Sequence, residues 1–263
     1  MNKLLSLCLM LSIAPVISLS IQDESLRDVK TLLSQLMDFS KRNALASVEA
    51  KKLYTDEALK WNFPTFGKLT ESPDKIVLLD KNNAIARYQL SAENGFIADV
   101  YFYMSKPDSW RIKSVRRLAL TGLLEETQAG LKGKKVLTQE EKNILANIEL
   151  TLGTDELLRD WLINNKTLME QLIDVFTSSD VPKRQAIVAD GPGFPKISAL
   201  LKQLHINSME LQPDGNIEIV IGGLVDNTVG YIYSPENNPP KMDDDNYFWI
   251  EKVLDNWYLF RTT

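Results

Sequence analysis

Ala84-Ile85-Ala86-Arg87-Tyr88-Gln89-Leu90 and, after a short glycine-bearing break, Phe96-Ile97-Ala98-Asp99-Val100-Tyr101-Phe102-Tyr103-Met104 form the stretch that decides the fold. Both segments alternate two kinds of side chain with the period of two that belongs to a strand. Ala84, Ala86, Tyr88 and Leu90 form one apolar face, matched by Phe96, Ala98, Val100, Phe102 and Met104. Ile85, Arg87 and Gln89 form the other face, matched by Ile97, Asp99, Tyr101 and Tyr103. An odd-numbered loop within Ser91–Gly95 keeps like faces together and makes the pair an antiparallel hairpin.

Working outward, Lys75–Leu79 and Trp110–Leu118 read as further strands, separated from the hairpin by the turn-rich Asp80–Asn83 and Ser105–Ser109. Four short runs of this kind make an antiparallel meander. Upstream, Leu26, Val29, Leu32, Leu33, Leu36 and Met37 recur at helical spacing within Ser25–Asn43, and Leu45–Tyr54 predicts a shorter second helix. Pro64, Gly67 and Pro73 mark an irregular passage before the strands.

Downstream, the polar Gly122–Val136 predicts a linker. Thr138-x-x-Glu141 and Thr167-x-x-Glu170 have the spacing of capping boxes, Gly153 that of a helix end, and Thr154 that of a cap for the next helix. Ile197–Leu204 predicts a short helix. Strands return at Ser208–Leu211, Asn216–Ile221, Val229–Ser234, Tyr247–Val253 and Trp257–Arg261.

The class is therefore α+β: two helix-then-antiparallel-meander units, 21–121 and 137–263, joined by a polar linker at 122–136. Tyr101–Trp110 and Tyr247–Trp257 share aromatic strands, a Lys–Asp turn and a closing tryptophan. That likeness fits either a duplicated unit or any two aromatic hairpins.

Residues 1–20 read as a signal peptide: Lys3 as the basic start, an apolar run from Leu4, and small residues Ser18 and Ser20 before the cleavage point. The expectation is a periplasmic or secreted protein with no integral membrane span after leader removal. Cys8, the only cysteine, lies inside the leader and is preceded by Leu7, which disfavours lipidation. The mature chain then offers no disulfide, thiolate metal site or cysteine nucleophile.

The one histidine, His205, ends a predicted helix, where a capping role is commoner than a catalytic one. Net charge is −5 with no long block of one sign, so nucleic acid is not an expected partner. No cofactor or metal is expected. Asp243–Asn246 lacks the spacing of a calcium loop, and Asp190–Lys196 lacks that of a phosphate loop. The sequon Asn165-Lys166-Thr167 competes with the capping role assigned to Thr167.

Leu53-Tyr54-Thr55-Asp56-Glu57-Ala58 after two helices, and a meander ending in Trp110-Arg111-Ile112, resemble the nuclear-transport-factor-two-like superfamily, which includes small polyketide cyclases and ketosteroid isomerases. The likeness spans Ser25 to Leu120. It implies a curved sheet around a long helix, a cone with an interior pocket, and in catalytic members an acid or histidine inside the cone. Such folds serve enzymes, binding modules and structural dimers alike.

Arg87, Asp99, Tyr101 and Tyr103 are the candidate ligand-binding residues, as polar anchor and walls of a pocket. The alternative, and commoner, reading of that face is a solvated sheet surface with an exposed ion pair worth about 0–1 kcal/mol. An aspartate paired to arginine is also a poor general base near neutrality. The leading expectation is an exported non-catalytic protein that binds a small ligand or an envelope protein. The alternative is a small cyclase- or isomerase-like enzyme using a carboxylate in the first-half cone.

Overall fold

The computed structural model describes residues 14–42, 47–60, 68–91, 97–119, 121–243 and 245–262. The start of the expected leader with Cys8, and also Trp61, Pro64, Gly67, Gly95 and Phe96, lie outside the described residues. The chain divides into two units that are not consecutive in sequence. The first is Met1–Phe96 with Val100–Val115; the second is Ile97–Asp99 with Arg116–Thr263. The fold is α+β with two antiparallel sheets.

In the first unit, helix α1 (Ala14–Lys41) precedes a single turn α2 (Val48–Lys51), capped by the Ser47 hydroxyl on the Ala50 amide, and a 3-10 turn at Ala58–Lys60. Five strands follow: β1 (Lys68–Leu69), β2 (Lys75–Leu78), β3 (Asn83–Ser91), β4 (Ile97–Ser105) and β5 (Arg111–Arg116), in sheet order β1-β3-β4-β5. β1 and β2 pair with successive stretches of β3, Leu69 opposite Leu90 and Ile76 opposite Ala86. The predicted turn before β3 is pinned by Asp80, whose carboxylate accepts from the Asn82 amide at 2.6 Å and from Asn83 Nδ2 at 2.9 Å.

The apolar face of the hairpin faces the core as its spacing predicts. Ala84, Ala86, Tyr88, Leu90, Val100, Phe102 and Met104 pack with Val29, Leu32, Leu33, Leu36 and Met37 of α1. Tyr88 meets Phe102 edge to face with ring centres 5.4 Å apart, an arrangement aromatic quadrupoles favour.

Among the described residues, the second unit holds five helices and six strands. They are α3 (Thr121–Lys132), α4 (Gln139–Thr151), α5 (Asp155–Asn164), α6 (Lys166–Thr177) and α7 (Pro195–Gln203), then β6 (Ile187–Val188) between α6 and α7, and β7 (Ser208–Leu211), β8 (Ile217–Leu224), β9 (Asn227–Tyr233), β10 (Tyr247–Leu254) and β11 (Trp257–Thr262). Gly122–Val136, expected as a linker, is mostly the helix α3. Leu131 is its one buried residue, so polarity marked an exposed helix and not an unstructured connection.

Two capping expectations divide. Thr138 accepts from the Glu141 amide at 3.2 Å while Glu141 accepts from the Thr138 amide at 2.9 Å, a complete capping box. Thr167 caps nothing: a single residue, Asn165, separates α5 from α6, so Thr167 already lies in the first turn. Asn165 Nδ2 instead donates back to the Trp161 carbonyl. Gly153 follows α4 but is not left-handed. A Cβ there would stand 2.9 Å from Leu157 Cδ2 and 3.0 Å from the Leu150 carbonyl, so close packing favours the glycine.

His205 ends α7 with φ 55, its amide bonded to the Lys202 carbonyl and that of Ile206 to Leu201. That is a Schellman motif with a histidine in the position glycine usually fills.

The strand order β10-β11-β9-β8-β7-β6 is not a simple meander. The last strand enters between β10 and β9, with Leu259 opposite both Tyr231 and Glu251. In the first sheet the last strand, β5, is instead at the edge. The two similar hairpins therefore occupy different sheet positions, which argues against the duplicated-unit reading.

One face of this sheet carries Ile217, Ile219, Ile221, Tyr231, Trp257 and Leu259 against Leu158, Leu162, Leu172, Phe176, Leu201 and their neighbours. Helix α4 approaches β8 closely at Gly222, where a Cβ would stand 2.2 Å from Thr151 Oγ1. Asn147 closes this approach by donating to the carbonyls of His205 and Ile221 at 2.8 and 2.6 Å. On the opposite face, Ile232, Ile250, Tyr258 and Phe260 form a smaller cluster with Val220, Met242 and Tyr247. Both faces of β10 are thus covered within the chain: Phe248, Trp249 and Ile250 are all buried.

Candidate functional site

Arg87, Asp99, Tyr101 and Tyr103 are all buried, between 0 and 7% exposed, so the solvated-surface reading of their face is overturned. Arg87 belongs to the first unit, with its Nε 3.8 Å from the Asp74 carboxylate. Tyr101 and Tyr103 also belong to the first unit, and Asp99 belongs to the second.

Asp99 enters a buried charged group there. Its Oδ2 accepts the backbone amide of Asp155 at 2.6 Å and lies 3.7 Å from Arg261 Nη2. Arg261 Nε donates to Asp155 Oδ1 at 2.8 Å, and its Nη2 donates to the Gly153 carbonyl at 2.7 Å. Asp155 is the first residue of α5, so the Asp99 carboxylate sits where amides point outward and the helix dipole favours negative charge. Two carboxylates, one guanidinium and a helix start thus meet in one buried group. Removing the arginine would leave uncompensated buried charge.

The spacing of Asp99 and Arg87 on neighbouring strands foreshadowed an aspartate–arginine group. Arg261, 162 positions further along the chain, also stands beside Asp99, and nothing local announces that pairing.

A second titratable group lies on the other face of the second sheet. The Tyr247 hydroxyl donates to Glu218 Oε2 at 2.6 Å, and Glu210 stands directly opposite Glu218 across β7 and β8. Burial raises the Glu218 carboxyl above its ordinary value, the tyrosine hydrogen bond opposes this, and Glu210 and Asp214 reinforce it. Burial likewise raises the Tyr247 hydroxyl and lowers His205. Among the described residues, no group of three or more His, Cys, Asp or Glu could hold a metal ion.

A concave site lies elsewhere in the second unit. A cleft of about 370 Å³ is lined by Lys166, Glu170, Ile173 and Asp174 of α6, and by Tyr233 and the Leu254–Trp257 turn. Lys166, Glu170 and Asp174 recur every four residues, which places them along one side of the helix. Opposite, Leu254 pairs with Trp257, so Asp255-Asn256 is a two-residue hairpin turn with Asn256 at φ 67, a conformation asparagine tolerates. The Ser234 amide donates to the Asn256 carbonyl at 2.8 Å, and the Asn256 amide donates to Asn237 Oδ1 at 3.0 Å, which fixes the turn.

Tyr233 and Trp257 form a ring pair with centres 5.1 Å apart at 60°. Glu170 is bridged to Lys166 at 3.4 Å and Asp255 to Lys252 at 3.0 Å. The cleft combines an aromatic and aliphatic wall with exposed charged groups, the composition of a binding site of modest size. In the sequence its members were legible only as separate features: a capping box that does not form, and the lysine–aspartate turn.

Searched against protein-family models, curated proteins and solved structures, the chain matches none. Among the described residues, no helix is long and apolar enough to cross a membrane.

Proposed function

We propose that this is an exported, non-catalytic binding protein that takes its ligand in the cleft beside α6. The cleft itself carries the reading: an open concavity with an aromatic and aliphatic wall and charged groups at its rim. The carboxylate best placed for the alternative cyclase- or isomerase-like activity, Asp99, is held by the Asp155 amide beside the Arg261 guanidinium.

The likeness of the first unit to the nuclear-transport-factor-two-like superfamily is part of the same proposal. It is supported by a long helix, residues 21–41 after leader removal, packed on an antiparallel sheet. Periplasmic or secreted location rests on the leader at residues 1–20.

Two measurements on the exported protein test this. N-terminal sequencing should begin at Ile21, whereas retention of Met1 or a lipid on Cys8 would refute the leader. Native mass spectrometry after incubation with a small-molecule extract of the source compartment should show a one-to-one adduct released on denaturation. Turnover of an extract component, with loss of that turnover in Asp99→Asn, would instead establish the enzyme.

A further inference from the structure

We infer that the cleft selects a small organic cation, an amine carried on an apolar body; this rests on the cleft being the binding site. The charges around it do not cancel. Glu170 is neutralised by Lys166 and Asp255 by Lys252. Asp174 lines the same cleft, and among the described residues no lysine or arginine lies within 4 Å of it. One uncompensated carboxylate therefore faces a wall made of Ile173, Leu254, Tyr233 and Trp257.

Trp257 is almost fully buried, so the half-exposed Tyr233 supplies the accessible aromatic surface. An ammonium group satisfies both features at once: it pairs with Asp174 and lies against an electron-rich ring. Its apolar remainder covers the aliphatic wall. An anion of the same size meets three carboxylates and a single, already paired lysine. The volume lies near the lower end of the range for small-molecule sites.

The test compares three probes that share a phenylethyl body and carry a cationic, a neutral and an anionic head group: 2-phenylethylamine, 2-phenylethanol and 3-phenylpropanoate. Each is titrated into the ¹⁵N-labelled chain while the Trp257 indole and the Asp255 and Asn256 amides are followed. The amine should move these signals saturably and bind about fivefold or more tighter than the alcohol, the scale expected of one partly exposed ion pair with one cation–π contact. The propanoate should leave them unmoved.

Asp174→Asn, an outward change on α6, should bring the amine down to the level of the alcohol, whereas the remote Asp180→Asn should not. Equal binding of amine and alcohol, or an Asp174→Asn variant that retains the preference, would overturn the cation assignment while leaving the cleft as a site. Failure of all three probes to move these signals would overturn the cleft reading itself.

Discussion

Glu218 and His205 show how far one position can be read before its neighbours are known. Glu218 looks like an outward strand residue. In the fold it faces Glu210, lies near Asp214 and takes the Tyr247 hydroxyl, so burial lifts its carboxyl above its ordinary value. Between its unfolded and raised folded values the native state binds more protons than the unfolded chain. The contribution of this group is therefore complete below the unfolded value and is lost as pH rises through the folded one. Glu218→Gln keeps an acceptor for Tyr247 and removes the titration. Denaturant melts from pH 4 to 8 should show the variant gaining on the wild type as pH rises; a constant difference would contradict the assignment. His205 was legible as a helix end from the run before it. Its left-handed backbone was not, because glycine is the usual signal for that position.

Glycines separate what a helix says locally from what packing adds to it. Gly130 sits in the exposed helix α3 with nothing within 4 Å of where a Cβ would stand. Gly130→Ala should raise stability by about 0.5–1 kcal/mol by restricting the unfolded chain and favouring the helix. Gly222→Ala should do the reverse, because the new methyl would meet Thr151 Oγ1 at 2.2 Å and force α4 off β8; a loss of about 1–3 kcal/mol is expected for such overpacking. Chemical denaturation of both variants checks the pair, and equal effects would contradict the packing described. Elements with strong local patterns were readable in the sequence: the alternation of β3 and β4, the capping box of α4, and the turn at Asp80. Helix α3 was not, because its polarity and glycines resemble a linker. The Thr167 box failed because the one-residue junction between α5 and α6 is set by packing of their buried faces.

At the scale of the molecule, the division into units runs across the sequence, since Ile97–Asp99 counts with Arg116–Thr263. Neither this nor the entry of β11 between β10 and β9 leaves a local trace, because both depend on partners far apart in the chain. The fragment Arg116–Thr263 retains the core around α5, α6 and α7 and the Arg261–Asp155 pair, and should unfold cooperatively by itself. A fragment without a cooperative transition would show that the second unit needs more of the chain than it keeps. The central claim is that Asp99 is a structural carboxylate of the second unit, coupled to Arg261. A double-mutant cycle on the full chain tests it most directly, with Asp99→Asn, Arg261→Met and their combination compared by denaturant unfolding. The account predicts that Arg261→Met alone costs about 3–5 kcal/mol, as breaking a buried ion pair does, and that the two changes couple by more than about 1 kcal/mol. Coupling near zero would contradict it and return Asp99 to the role of a pocket carboxylate.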